Sequence, residues 1–206
     1  DQIVQGLSGL MSVTGHPGGG PVRAGIAISD TAAGMFLGQG ILLALLHREH
    51  TGEGQWVHTS MLESMLSKMD FQAARYTMLG EVAEQQGNDH PTLVPMGTFV
   101  AKDGPVNIAA STPRMFNELC SALGAKKLAE DPRFATNAGR VANKIELRAA
   151  INKLTAQFTV EELVDCLAPL GVPCGPVCNL AETFDNPQVR HLEMTRPAPN
   201  PVHGDI

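Results

Sequence analysis

The feature that most constrains this chain is a run without charge. Residues 32–46 hold no acid, base or histidine and consist mostly of Ala, Leu, Ile, Met and Gly. A short apolar entry, Gly25-Ile26-Ala27-Ile28, leads into Ser29-Asp30-Thr31, residue types that favour a helix N-terminus. The run closes on His47-Arg48-Glu49-His50 and then Thr51-Gly52. Basic side chains in a last turn followed by Gly form a helix stop. The pattern predicts one helix from about Asp30 to about His50. It is apolar on every side, so it is expected inside a core. Its uncharged stretch falls short of the roughly 20 apolar residues a bilayer span needs. Gly34, Gly38 and Gly40 each cost about 1 kcal/mol against Ala in a helix interior. Close approach of another backbone or a ligand is the expected compensation.

Asp30 has two readings on these grounds. It can be a cap, its carboxylate accepting backbone N–H groups and doing no more. It can also be a carboxylate held at a helix N-terminus and free to attack an acyl group, the rarer role for an Asp in this position. Spacing does not separate them.

Other segments fall into order around this helix. Residues 1–14 read as a short amphipathic helix, with Ile3, Val4, Leu7, Leu10 and Met11 on its apolar face. His16-Pro17-Gly18-Gly19-Gly20-Pro21 is a loop. It lacks the Gly-Lys-Ser/Thr ending of a phosphate cradle, so a flexible turn is expected. Residues 55–59 suggest a short strand. Residues 60–79 suggest a single helix whose methionines fill a core. A polar stretch, 80–96, then marks a boundary. Beyond it, 98–101 and 106–109 form a hairpin around Lys102-Asp103-Gly104, since Asp-Gly is a strong hairpin turn. Helices are expected at 112–123, 145–157, 159–170 and 180–184, with a short strand at 172–177. Pro113 suits a first helical turn, and Thr159 with Glu162 fits a capping box.

Composition closes off some functions. A formal charge of −6 over 206 residues argues against nucleic acid or a polybasic membrane contact. No segment reads as a signal peptide or a membrane span. The four cysteines, Cys120, Cys166, Cys174 and Cys178, are expected as buried, reduced thiols in a cytoplasmic protein. No second ligand pair accompanies Cys174 and Cys178 at zinc spacing, so no metal site is expected.

The segment 25–60 resembles the signature of the class III CoA-transferases, the family that includes formyl-CoA transferase, carnitine CoA-transferase and α-methylacyl-CoA racemase. The matching residues are Asp30, Gly34, Gly40-Ile41-Leu42, Leu45-Leu46, Arg48 and Thr51-Gly52-Glu53-Gly54-Gln55. Residues 1–15, Thr59-Ser60-Met61-Leu62-Glu63, Gly87-Asn88-Asp89-His90-Pro91 and 171–177 resemble further family blocks in the same order. The resemblance implies an α/β protein: a helix-rich part of the large CoA-transferase domain (1–80), a linker (81–96), a small α/β domain with a short antiparallel sheet (97–190) and an extended exit (191–206). It implies that the chain is the middle of a longer family member.

The implied activity is transfer of CoA from an acyl-CoA thioester to a free carboxylic acid through a covalent aspartyl intermediate. Asp30 would be the nucleophile, its charged form favoured by the helix N-terminus. Met61 falls where the family places a residue beside the reactive end of CoA, and His90 is a weaker substrate-binding candidate. CoA enters as the acyl-CoA substrate; no permanent cofactor or metal is implied. The partners implied are the acyl-CoA, the acid and a second subunit in an interlocked homodimer. The same scaffold also supports an acyl-CoA racemase or epimerase, with Asp30 as a base. A third reading is an inactive fragment that acts only by association.

Overall fold

The computed structural model describes residues 1–205. It is a mixed α/β structure with one small antiparallel sheet. The chain divides into two compact units, the first spanning Asp1–Asp89 and the second beginning at His90.

The first unit is all helix and loop. It contains α1 (Gln2–Leu7), α2 (Leu10–Val13), α3 (Ile28–Thr51), α4 (Met61–Lys68) and α5 (Asp70–Leu79). The amphipathic segment at the start is broken by Gly9, whose φ of 84° ends α1 and opens α2. Its expected apolar face is turned outward at Ile3 and Leu7, while the polar residues Gln5 and Ser8 are buried. The expected helix over 60–79 is also split. Asp70 adopts φ 45°, a left-handed backbone that stops the ladder between α4 and α5. Ser60 caps α4, its Oγ accepting the Glu63 N–H at 3.2 Å.

Helix α3 forms where expected, ending on Gly52 at φ 77°. It is not sealed in a core. Only Ser29 and Ala32 are buried, and Met35, Ile41, Leu42, Leu43 and Leu46 are exposed. The reason is coverage: α4 and the short α1 pack against it, and its remaining faces have little cover within the unit. At 24 residues α3 is long and apolar enough to cross a bilayer by length and composition, although the uncharged run alone is not. Of its glycines, only Gly40 meets a close neighbour, since a Cβ there would stand 2.7 Å from a Val57 methyl. Gly34 and Gly38 face open space. Residues 55–59 form no strand, because no other strand in the first unit offers them a ladder.

The second unit folds around a sheet of order β1-β2-β3, with β1 (Met96–Val100), β2 (Pro105–Ala109) and β3 (Cys174–Pro176). The β1–β2 hairpin turns at the expected Asp-Gly and pairs Thr98 with Asn107. Around it lie α6 (Pro113–Ala122), α7 (Lys126–Ala129), α8 (Asn137–Ala142), α9 (Lys144–Thr155), α10 (Val160–Leu167), α11 (Leu180–Asp185) and α12 (Pro187–His191). Thr112 caps α6, and Thr159 with Glu162 completes the capping box of α10. The sheet and helices enclose Val106, Ile108, Leu119, Leu147, Ile151, Leu163, Leu167 and Val172, each at most 1% exposed.

Helix α9 does two jobs. Leu147 and Ile151 enter the core, while Arg148, Asn152 and Thr155 occupy the next stripe at helical spacing. Those three side chains bond Thr98 O, Val100 N and Val100 O, covering the open edge of β1. Arg140 on α8 is fully buried, and it donates to the carbonyls of Val94, Phe134 and Ser111 and stacks over Phe116. Near the end of the chain, β4 (Pro199–Asn200) pairs with β5 (Gly204–Asp205), so the exit expected to be extended turns back on itself. Residue 206 of that segment lies outside the described residues.

Candidate active site

The cap reading of Asp30 fails on geometry. The N-cap of α3 is Ala27, which makes Asp30 the third helical residue. The carboxylate that closes the helix start belongs to Asp1. Its Oδ1 accepts the Ser29 backbone N–H at 3.0 Å and the Ser29 hydroxyl at 2.6 Å. Asp30 is thereby spared this task. Its side chain is 55% exposed, and its Oδ1 stands 3.5 Å from the main-chain nitrogen of Asp1. A carboxylate at the positive end of a 24-residue helix, open to solvent, is placed where an incoming electrophile could meet it.

Met61 is the first residue of α4 and is half-buried. Asp30 and Met61 therefore lie at the starts of two helices that pack against each other. His90 opens the second unit. Its Nδ1 accepts the backbone N–H groups of Thr92 at 3.2 Å and Leu93 at 3.0 Å. That arrangement needs an unprotonated Nδ1, and burial pushes the imidazole below its ordinary pKa. The ring thus organises its own turn, the structural role of a loop histidine.

The glycine loop after α2 is not free. Gln85 reaches it from the far end of the unit and donates through Nε2 to Thr14 O at 2.6 Å and Gly20 O at 2.5 Å. Gly15 must be glycine here: its φ is 123°, and a Cβ would stand 2.7 Å from Gln85 Nε2. The expectation of a flexible turn gives way to a loop clamped at both ends. A cavity of about 260 Å³ lies beside the last turns of α3, lined by Ile41, Leu45, Arg48, Gln55 and Val57. A larger groove of about 840 Å³ lies in the second unit, lined by Lys126, Lys127, Arg133, Phe134, Glu146 and Lys153 among others. Asp30 borders neither.

Of the thiols, Cys120 is buried, Cys166 and Cys174 are half-buried, and Cys178 is exposed. The expectation of buried thiols holds at Cys120, is met only in part at Cys166 and Cys174, and fails at Cys178, which follows β3 in an exposed segment. Burial pushes the Cys120 thiol up to about 11, against a weaker opposing pull from Arg140. Among the described residues no group of three or more His, Cys, Asp or Glu could hold a metal ion.

The model of CoA-transferase family III matches residues 1–206. The chain belongs to CoA-transferase family III. It is 36% identical over 190 residues to the succinate–glutarate CoA-transferase of Agrobacterium fabrum, covering 92% of this chain and 48% of that protein. It is 40% identical over 194 residues to the succinyl-CoA:mesaconate CoA-transferase of Haloarcula hispanica, covering 94% of this chain and 48% of that one. Among solved structures, a CaiB/BaiF family protein from Brucella suis superposes with a TM-score of 0.79 at 32% identity, over 100% of this chain and 57% of its own. The Rv3272 structure from Mycobacterium tuberculosis gives a TM-score of 0.84 at 26% identity, over 96% and 51%. The chain thus spans about half the length of the curated relatives it matches.

For this family III chain, sequence inspection misses the polar cluster that builds the start of α3. Asp1 and Gln5 escape notice, and Ser29 is read only as a helix-start residue, without its partner Asp1. The available signal is an interruption of the apolar pattern: a Gln among Ile, Val and Leu at helical spacing needs a buried partner or a solvent face.

Proposed function

We propose that the protein containing this chain moves CoA between carboxylic acids, with Asp30 as the covalent nucleophile. One observation supports the assignment above others. Asp30 is a first-turn carboxylate with no capping duty, because Asp1 performs it.

In the reaction, an Asp30 carboxylate oxygen attacks the thioester carbonyl carbon of the donor. The C–S bond breaks, CoA leaves as the thiolate, and a mixed anhydride remains on Asp30. The thiolate then attacks the Asp30 carbonyl carbon, and the donor acid departs as its carboxylate. An aspartyl-CoA thioester is left. The acceptor carboxylate attacks that thioester, releasing the thiolate again. The thiolate finally takes the acceptor's acyl carbon, which restores Asp30 and forms the new acyl-CoA. Each step exchanges one leaving group for another, so no oxidant, reductant or metal is needed. Met61, at the start of α4, is assigned to the reactive end of CoA. His90 is assigned only to shaping the loop near the beginning of the second unit.

The names of the relatives point to small dicarboxylic acids as donors and acceptors. The exposed apolar faces of α3 call for cover in the complete protein, from the rest of the chain or from a second copy in a homodimer.

The test uses the full-length protein with succinyl-CoA as donor and glutarate or mesaconate as acceptor. Hydroxylamine added during turnover should leave a hydroxamate on Asp30, located by peptide mass spectrometry. An adduct on any other residue overturns the assignment. Exchange of the α-proton with deuterium in the absence of any acceptor acid would mark a racemase instead.

A further inference from the structure

Gln5 is one of the few fully buried polar side chains in the first unit, and it lies on α1, remote in sequence from α3. Its amide makes three hydrogen bonds, all directed at the entrance to α3. The Oε1 accepts the Ala24 N–H at 2.9 Å. The Nε2 donates to Ile26 O at 3.2 Å and to Asp1 Oδ2 at 2.7 Å. Ala24 and Ile26 flank Gly25 in the approach to the helix. Asp1 then passes the restraint on, since its other oxygen holds the backbone N–H and hydroxyl of Ser29. Ser29 is fully buried, and Asp30 is the next residue.

We propose that Gln5 is a positioning residue: by gripping residues 24 and 26 and orienting the Asp1 carboxylate, it fixes the first turn of α3 and so the direction of the Asp30 carboxylate. This rests on the reading of Asp30 as nucleophile. An amide is suited to the task because it donates and accepts on one rigid plane. It must do both, to a carboxylate on one side and to an amide N–H on the other. A hydrocarbon can do neither, and a carboxylate can only accept. The charged groups facing it are Asp1, Arg23, whose guanidinium stands 3.5 Å from Asp1 Oδ2, and Asp30 beyond Ser29. A nucleophile displaced by a fraction of an ångström to an ångström loses rate and not substrate affinity, with losses on the order of 100-fold.

The experiment compares Gln5→Met, Gln5→Glu, Ser29→Ala and Asp30→Ala in the full-length protein, with succinyl-CoA and glutarate as probes. Rates are followed across roughly pH 6 to 9, which brackets a raised carboxyl. Gln5→Met should lower kcat by about 10- to 100-fold with KM for succinyl-CoA held within about threefold. Gln5→Glu is the decisive variant. It sets two carboxyl groups side by side, which cannot both ionise at such range. With a shared proton, the introduced carboxyl donates its single O–H to Asp1 and leaves the Ile26 carbonyl without a donor, so kcat recovers in part. When that proton leaves on raising the pH, the grip is lost and kcat falls. The parent protein, with an amide there, shows no such step. Ser29→Ala, which deletes one link and keeps the backbone, should lower kcat by about threefold to tenfold.

A Gln5→Glu profile parallel to the parent's overturns the proposal, whether or not Gln5→Met folds. Parent-like kcat in Ser29→Ala together with that parallel profile overturns it twice over. Asp30→Ala separates the two ideas: if it still turns over, the nucleophile reading itself is wrong, and if it is inert while the Gln5 variants behave as the parent, only the positioning claim is lost.

Discussion

The two units of this chain bury different things. The second encloses hydrocarbon: Val106, Leu119, Leu147, Ile151, Leu163 and Leu167 are sealed between sheet and helices. The first leaves its most apolar helix largely uncovered and buries more polar side chains than apolar ones: Gln5, Ser8, Ser29 and Ser64 beside Ala32 and Met65. Hydrophobic burial is non-directional, so a core of that kind stabilises without aiming anything. Hydrogen bonds are directional, and a buried set holds its members to fixed angles. The contrast suggests a division of labour. One unit supplies stability from its own contacts. The other gathers directional polar contacts at the first turn of α3 and leaves the rest of that helix with little cover within the unit.

The largest expected effect tests this division at its centre. Asp30→Ala should abolish CoA exchange between succinyl-CoA and glutarate in the full-length protein. Its melting temperature should stay within a few degrees of the parent's, since the side chain is half exposed and caps nothing. Loss of exchange together with a large fall in melting temperature would instead make Asp30 a structural residue, and the contrast would collapse.

Arg140→Met strikes the second unit where it departs from its own rule. Arg140 is a fully buried cation held by three carbonyls, with no carboxylate partner among the described residues. Methionine fills part of the space but leaves those carbonyls without a donor. The expected loss is about 3–5 kcal/mol, read by urea unfolding. A loss below about 1 kcal/mol would show that hydrocarbon alone holds this unit. That result would sharpen the contrast.

What was legible in the sequence follows the same line. The β1–β2 hairpin was readable because Asp103-Gly104 states the turn locally. The starts of α6 and α10 were readable because Thr112 and Thr159 are caps that act within one turn. Helix α3 was readable in extent, but its burial was not, because burial depends on what else reaches it. The strand expected at 55–59 failed for a related reason: propensity proposes a strand, and only a partner makes one. Asp70 broke a helix that periodicity ran straight through, since a left-handed backbone at a non-glycine residue leaves no mark in an apolar pattern. The polar cluster around Ser29 was illegible because it joins Asp1 and Gln5 at the start of the chain to residues 24–29, about 20 to 28 positions further on, and nothing local states that pairing. Asp30 was legible as a helix-start residue, yet only geometry removed the capping role.

Cysteine chemistry offers a smaller effect with a definite sign. Burial raises the Cys120 thiol from an ordinary 9.0 to about 11. Its neutral form is the folded one, so its contribution is fully present below pH 9.0 and is lost as pH rises towards about 11. At about pH 8, below the ordinary thiol value, a maleimide should label Cys178 readily and leave Cys120 unlabelled until the second unit unfolds. Rapid labelling of Cys120 in the native protein would mean that the hydrocarbon core opens far more often than its packing implies.

The smallest effect compares the units through matched caps. Ser60 caps α4 by accepting the Glu63 N–H at 3.2 Å, and Thr159 caps α10 by accepting the Glu162 N–H at 3.2 Å. If a cap acts only on its own helix, Ser60→Ala and Thr159→Ala should each cost about 1 kcal/mol by urea unfolding. The surroundings differ, however. Thr159 lies beside a hydrocarbon core, whereas the Ser60 carbonyl also accepts the hydroxyl of buried Ser64, which in turn meets Thr59 at 3.2 Å. Polar networks of this sort share their energy unequally among members. A Ser60→Ala cost clearly above that of Thr159→Ala would show that the first unit's caps belong to its buried polar framework, so that helix starts in that unit are set collectively. Equal costs would confine that collective behaviour to the start of α3.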